Sequence, residues 1–376
     1  MGLIEELSRA GIESSAVCHI AGSIAEQQRL SDAVQGRIVF VPLYLWHRKI
    51  RSAWWKRPAL EALQLWKTGW RLRSRTAIIR AARAFRADLV HTNTILTPDS
   101  AWAAHRLGLP HVWHVRELVG PGRPFRLPYE GHALGCYLTQ RASIVVANSS
   151  ATHDVLEPHL SSARLACVVN GINIDAFVRA PRAVRVGPPV VGMVANLTAR
   201  WKKHAVFISA AARVSVVTPA TFCIYGHDPG SANDPYSEKL HDLVLKAGLD
   251  DRFGWRGFVD NPVDVMHGID ILVHPADGES FGRIAVEAMA AGIPVVGVRG
   301  GGLAEIVVHG ETGFLADVDD VAGIGRHIEQ LLRDGELRNR FGAAGRRRAE
   351  EHFSLRVHGE RMLEVYRRAM VMAVAK

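Results

Sequence analysis

Residues 271–296 read ILVHPADGESFGRIAVEAMAAGIPVV, and the fold can be argued outward from this stretch. It opens on an apolar run suited to a buried strand that ends at Pro275. A polar loop carrying Glu279 follows. A helix then begins near Gly282 and stops at Gly292, with Pro294 beyond it. A Gly just past a helix and a Pro soon after are stop signals. Glu279 therefore falls at the carboxyl end of a strand beside a helix N-terminus, and Glu287 lies within that helix. Parallel sheets bind ligands in crevices at the carboxyl ends of their strands, and free N–H groups at a helix start can meet a phosphate or a sugar hydroxyl. Taken singly, each glutamate has a plainer reading. Glu279 is then an acid stabilised by the helix dipole, and Glu287 an exposed helix residue.

The same alternation of short apolar runs with helical patterns extends along the chain and predicts an α/β protein with parallel sheets. Strands are expected at Ser15–Ile20, Ile38–Pro42, Asp88–His91, His111–Val115, Ile144–Ala147, Val190–Val194, Phe222–Tyr225 and Ile269–Val273. Helices are expected at Lys202–Val214 and Ser237–Ala247. With 376 residues, 48% of them hydrophobic, the chain suits two α/β domains, each with its own core. Residues 179–189, rich in Pro and Arg and without apolar periodicity, predict the linker. The expected division is a first domain over 1–178, a second over 190–354, and a last helical stretch, 355–376, crossing back onto the first.

Composition excludes several classes. Four scattered cysteines (Cys18, Cys136, Cys167, Cys223) form no CxxC pair, which argues against a disulfide framework or a zinc site. The opening MGLIEELSRAG has neither the basic nor the apolar region of a signal peptide. Glu6 stands where a myristoylation signal has Ser or Thr. The longest apolar stretch, Ala205–Tyr225, is broken by Arg213 and Pro219. A cytoplasmic protein is expected, or one peripheral on the inner face of the plasma membrane.

The net charge of +9 is unevenly placed: twelve Lys or Arg, one acid (Glu61) and five tryptophans fall within residues 46–86. Basic residues mixed with tryptophan suit an anionic membrane interface. A solvated helix face with its tryptophans packed inward is the competing reading. A nucleic-acid groove is a third, but no nucleic-acid motif accompanies the charge.

Further motifs lie in order on either side of the opening stretch: PheValAsp at 258–260 before it, then GlyGlyLeuAlaGlu at 301–305 and HisGlyGluThrGlyPhe at 309–314 after it. With GluSerPheGlyArgIleAlaValGlu at 279–287, an E-x7-E pattern, they span the second half. That half resembles the large retaining glycosyltransferase group 1, or family 4. A lone E-x7-E is weak evidence, but the ordered set is specific. The first half agrees more loosely, through Asp88–His91, Gly108–Pro110, Ala147–Ser149 and Val169–Ile172.

The resemblance implies the GT-B fold, two Rossmann-like domains facing across a cleft. It implies transfer of a sugar from a nucleotide diphosphate donor to a glycan or lipid-linked acceptor, with no cofactor and no metal. Glu279 would bind donor-sugar hydroxyls, helped by Ser280, Phe281 and Gly282, with Arg283 beside them. Glu287 would hold the ribose hydroxyls. The backbones of Gly301 and Gly302, more than the Glu305 side chain, would contact the donor. GT-B enzymes offset the diphosphate's charge with side chains, and residues 195–204 occupy the place where the family has an Arg and a Lys. Asn196 stands where that Arg would be, so Arg200 supplies the fork, Lys202 the lysine, and Lys203 its substitute. In the first domain Arg116 aligns with a family histidine that approaches the reacting sugar, and His114 lies two residues earlier. His114 can equally be a packed core histidine. Asp317 and Asp319 match a DxD pattern and are read as turn residues.

Two other functions share the fold. A nucleotide-sugar epimerase would form free epimer without acceptor. A non-catalytic sugar-nucleotide-binding remnant would not hydrolyse donor. The first domain is also expected to lack its first strand, since Leu3–Ala10 already reads as an amphipathic helix where a Rossmann-like domain opens with a strand.

Overall fold

The structure, a computed structural model, describes residues 2–19, 24–41, 43, 45–46, 57–120, 127–178, 187–216, 218–228, 230 and 234–374. The chain forms two compact units, Met1–Gly171 with Leu355–Lys376, and Ile172–Ser354. Of the expected linker, 179–186 lie outside the described residues.

Among the described residues the first unit opens on the helix Gly2–Arg9 and holds six strands: β1 Ala16–His19, β2 Ile38–Val41, β3 Val90–Thr92, β4 His111–Val115, β5 Ile144–Ala147 and β6 Leu165–Cys167. All pairings are parallel, but they make two sheets among the described residues, β1–β2 and β3–β4–β5–β6. β4 is buried along its whole length, and its alternate residues serve two cores. Trp113 and Val115 pack with Ile95, Leu138 and Trp46. Val112 faces Met362, Val365 and Ala369 of the helix Leu355–Val374. The helix Gly2–Arg9 lies on that same C-terminal helix, close enough that a Cβ on Gly2 would meet the Leu355 side chain at 2.4 Å.

The second unit is one parallel sheet of β7 Val190–Val194, β8 Thr221–Tyr225, β9 Phe253–Trp255, β10 Ile271–His274, β11 Val295–Val298 and β12 Gly313–Ala316. Its strand order is β12-β11-β10-β7-β8-β9. The chain winds outward from β7 to β9, returns to the other side of β7, and winds outward again. The strand order therefore reverses between β7 and β10, and such switch points open crevices at the strands' carboxyl ends. β10 begins two residues later than the sequence suggests; at Asp270 the carboxylate accepts from the Val190 N–H and the backbone N–H donates to the Val190 carbonyl, both at 2.7 Å. β7, β10 and β11 are near-continuous hydrophobic runs buried on both faces, as expected of central parallel strands.

Candidate active site

The loop after β10 is held by its own turn and by a glycine pair from the next crossover. Gly282, at φ +105°, takes a conformation that side chains avoid and starts the helix Arg283–Ala290. Gly301 and Gly302 press against the loop's backbone. The Gly302 N–H donates to the Glu279 carbonyl at 2.8 Å. A Cβ on Gly301 would lie 2.1 Å from that carbonyl oxygen, and one on Gly302 would lie 2.5 Å from the Ser280 carbonyl oxygen. Phe281 is buried, with its ring edge-on to Phe353 at 5.9 Å. The position of Glu279 is thus set by backbone contacts that only glycines allow.

A cavity of about 330 Å³ sits at the switch point, between the end of β7 and the β10 loop. Asn196, Lys202, Glu279, Arg283 and Glu287 line it, with Phe258 at its rim and 67% exposed. The Glu279 carboxylate accepts a hydrogen bond from the Lys202 ammonium. The same oxygen, Oε2, lies 3.4 Å from Nε2 of the buried His274. Burial alone would raise the Glu279 carboxyl, but His274 and Lys202 bring it down to about 2. Burial keeps His274 below its ordinary range, only partly countered by Glu279. Glu287, 5% exposed, accepts from the Arg283 Nε–H at 2.7 Å. Its burial raises its carboxyl, with Arg283 opposing. The cavity thus carries one strongly anionic carboxylate, a second that is less readily ionised, and a cation for each.

Residues 176–348 match the model described as glycosyl transferases group 1, and residues 1–176 match that of glycosyltransferase family 4. The chain belongs to the group 1, or family 4, glycosyltransferases. It is 37% identical over 111 residues to the N-acetyl-alpha-D-glucosaminyl L-malate synthase of Bacillus anthracis, 30% of this chain and 29% of that one. It is 30% identical over 295 residues to the D-inositol 3-phosphate glycosyltransferase of Streptomyces avermitilis, 70% of this chain and 61% of that one. The chain thus spans less than two thirds of these relatives' own length. Its fold matches that of Anabaena HepE, solved with UDP and glucose, with a TM-score of 0.72 at 20% identity over 97% of this chain and 94% of that one. This is the GT-B fold of two Rossmann-like domains.

Within the second unit, Lys202, Glu279, Arg283 and Glu287 meet at one cavity. Arg200 does not. It pairs with Asp234 at 3.1 Å and lies 5.2 Å from the Tyr236 ring centre. Lys203, at φ +61°, turns to Asp319 at 2.9 Å. Asp317 and Asp319 lie in the turn after β12, and the neighbouring Asp320 caps the helix Val321–Arg333 through the Gly323 N–H at 2.8 Å. Glu305 belongs to the short helix Leu303–Ile306, and its carbonyl accepts from Arg348 at 2.8 Å. Its side chain is not among the cavity's lining.

In the first unit Arg116 donates to Oδ1 of Asn170 at 2.6 and 3.1 Å and to Oδ1 of Asn93 at 3.1 Å. His114 is fully buried, its ring 5.6 Å from that of His91 and 5.9 Å from that of His358. That environment holds it well below its ordinary range, by burial first and then by the His91, Arg116 and His358 side chains around it. A ring so placed packs the C-terminal helix onto the sheet and faces no solvent.

His274 was not among the residues expected from the sequence. Its signal was there: a lone polar residue closing an apolar strand, directly before Pro275.

Proposed function

We propose that this chain is a retaining, metal-independent glycosyltransferase that moves a sugar from a nucleoside diphosphate to a glycan or lipid-linked acceptor. The observation that carries the proposal is the meeting of Lys202, Glu279, Arg283 and Glu287 in one cavity at the switch point of the second sheet. Glu287 suits the vicinal hydroxyls of a ribose, which a carboxylate can accept in pairs. Lys202 can leave Glu279 for a diphosphate oxygen and offset the charge that grows there as the glycosidic bond breaks. Glu279 then turns to the sugar's hydroxyls. An oxocarbenium-like state forms at the anomeric carbon, and the acceptor hydroxyl attacks from the face the diphosphate leaves. The departing phosphate takes the acceptor's proton.

The test is proton NMR of the protein with a panel of nucleoside diphosphate sugars, with and without simple hydroxyl acceptors, in EDTA. Release of nucleoside diphosphate from one donor, with the product keeping the donor's anomeric configuration, is the expected result. Inversion, strict dependence on added Mg²⁺ or Mn²⁺, or release of a free epimer would each overturn the corresponding part of the reading.

We also propose that the first unit docks on anionic lipid through residues 46–86. Arg73, Arg80 and Arg83 are exposed at i, i+7 and i+10 on the helix Arg57–Ala84, and Arg86 is exposed just beyond, so a positive stripe faces outward. Part of the segment serves the interior instead. Trp46 is buried against Trp113 and donates to the Ile95 carbonyl at 2.7 Å, while Arg71 and Arg75 face the buried Asp99. The side chains of Trp54, Trp55 and Trp66 lie outside the described residues. No helix among the described residues is long and apolar enough to cross a membrane. Sedimentation with anionic but not neutral vesicles, weakening as salt rises, supports docking. Equal sedimentation with both removes it.

A further inference from the structure

We infer that His274 is a positioning residue that keeps the Glu279 carboxylate aimed at the donor sugar once Lys202 has turned to the diphosphate. The inference rests on the reading of Glu279 as the sugar-binding carboxylate and names what holds it there. Glu279 Oε2 has two partners: the Lys202 ammonium and, at 3.4 Å, His274 Nε2. The lysine lines the cavity and sits on a single 3₁₀ turn, Arg200–Lys202. The histidine is the last residue of β10, 1% exposed, on a strand buried on both faces.

Their chemistry differs as much as their placement. A phosphate at the cavity competes for the ammonium, because Lys202 is a charge on a flexible stem. It cannot compete for a ring fixed in the sheet. Nε2 of His274 is buried and makes no close hydrogen bond in this state, an exception among buried polar atoms that calls for an explanation. The atom in front of it is a carboxylate oxygen. A bare Nε2 lone pair there would repel that oxygen, so the neutral tautomer with its proton on Nε2 is the one the site selects. When Lys202 departs, a shift of a few tenths of an ångström closes the 3.4 Å gap to an N–H···O⁻ hydrogen bond. The carboxylate stays ionised and oriented with no mobile cation beside it.

The experiment compares His274→Gln, His274→Asn and His274→Leu in the full chain. Glutamine places its amide N–H where Nε2 stood, asparagine places it where Nδ1 stood, and leucine keeps bulk with no donor. With whichever nucleoside diphosphate sugar the wild type turns over, H274Q should keep kcat within about threefold. H274N and H274L should lose about 10- to 100-fold in kcat, the range for one hydrogen bond to a charged group. Titration with the matching nucleoside diphosphate, which lacks the sugar, should give wild-type affinity in all three. A merely structural histidine would lower that affinity too, and would not be rescued by glutamine. If H274N fails to fold, H274L reads the same loss. Wild-type kcat in H274N or H274L overturns the inference, as does equal loss in H274Q. A wild type inactive toward every donor removes the reading of the site beneath it instead, so the two failures are distinct.

Discussion

Replacing Lys202 with methionine tests how the cavity stores its charge. The Lys202 and Glu279 side chains are 16% and 14% exposed, so solvent screens their pairing little. Glu279 is held at about 2, against an ordinary carboxyl near 4.5. At about 1.4 kcal/mol per pH unit, that net shift, which its partners achieve against the opposing burial, corresponds to about 3 kcal/mol at neutral pH. Stability from a depressed carboxyl is complete above about 4.5 and is lost as pH falls through 2, so pH 7 is where the comparison belongs. His274 supplies part of the total, which leaves about 1–2 kcal/mol for K202M to forfeit. In a unit of this size that lowers the melting midpoint by roughly 2–8 °C. Thermal melts of wild type, K202M, E279Q and the double variant form the cycle, and the two losses should overlap instead of adding. Additive losses, or a K202M midpoint equal to wild type, would refute the account of the pair.

Three further outcomes follow from named contacts. Glu287→Gln should weaken nucleoside diphosphate binding about 10- to 100-fold while leaving the melt near wild type, because Arg283, its partner, is largely exposed; unchanged binding removes Glu287 from the donor site. Gly301→Ala, whose Cβ would meet the Glu279 carbonyl at φ +57°, should displace the loop and lower both kcat and the melting midpoint, whereas Gly310→Ala, also at positive φ but with open space around it, should lower only the midpoint. His91, His114 and His358 are held neutral, at about 3 for His91 and about 4 for His358, mainly by burial. The unfolded chain therefore takes up protons below about 6.5 that the native chain refuses. Each histidine then withdraws about 1.4 kcal/mol of stability per pH unit, so urea midpoints should fall steeply from pH 6.5 to 5; a flat profile there contradicts the burial of the cluster.

The site was legible where chemistry and spacing coincide. Strand, loop and helix follow one another with clear stop signals, which places Glu279 at a strand-end crevice and Glu287 in the helix behind it; that the two act together is implied only by the resemblance carried by the ordered motifs around them. Which lysine would join them was legible only in part. In a 3₁₀ turn successive side chains stand about 120° apart, so Arg200 and Lys202 diverge, and nothing in the order of residues says which one faces the cavity. The ordered motifs single out Gly301 and Gly302, but their contact with the Glu279 backbone belongs to packing between two crossovers. His114 shows the opposite case. Its position on a central strand was clear, yet its burial depends on the helix Leu355–Val374, supplied from the far end of the chain. The strands β6, β9, β11 and β12 are not among those expected from the sequence: three or four residues give little periodicity, and Gly254 in the middle of β9 and Gly313 at the start of β12 weaken even the local propensity. The separation of β1–β2 from β3–β6 is a matter of pairing, on which the sequence pattern is silent.

The central claim is that the cavity between β7 and the β10 loop takes a nucleoside diphosphate sugar. Isothermal titration of a panel of such donors into the wild type, Glu279→Gln/Glu287→Gln and Glu305→Gln measures it directly. At least one donor should bind the wild type and Glu305→Gln alike, and lose more than tenfold in affinity to the double variant. A panel in which no donor binds, or a donor whose affinity survives the loss of both cavity carboxylates, would contradict it.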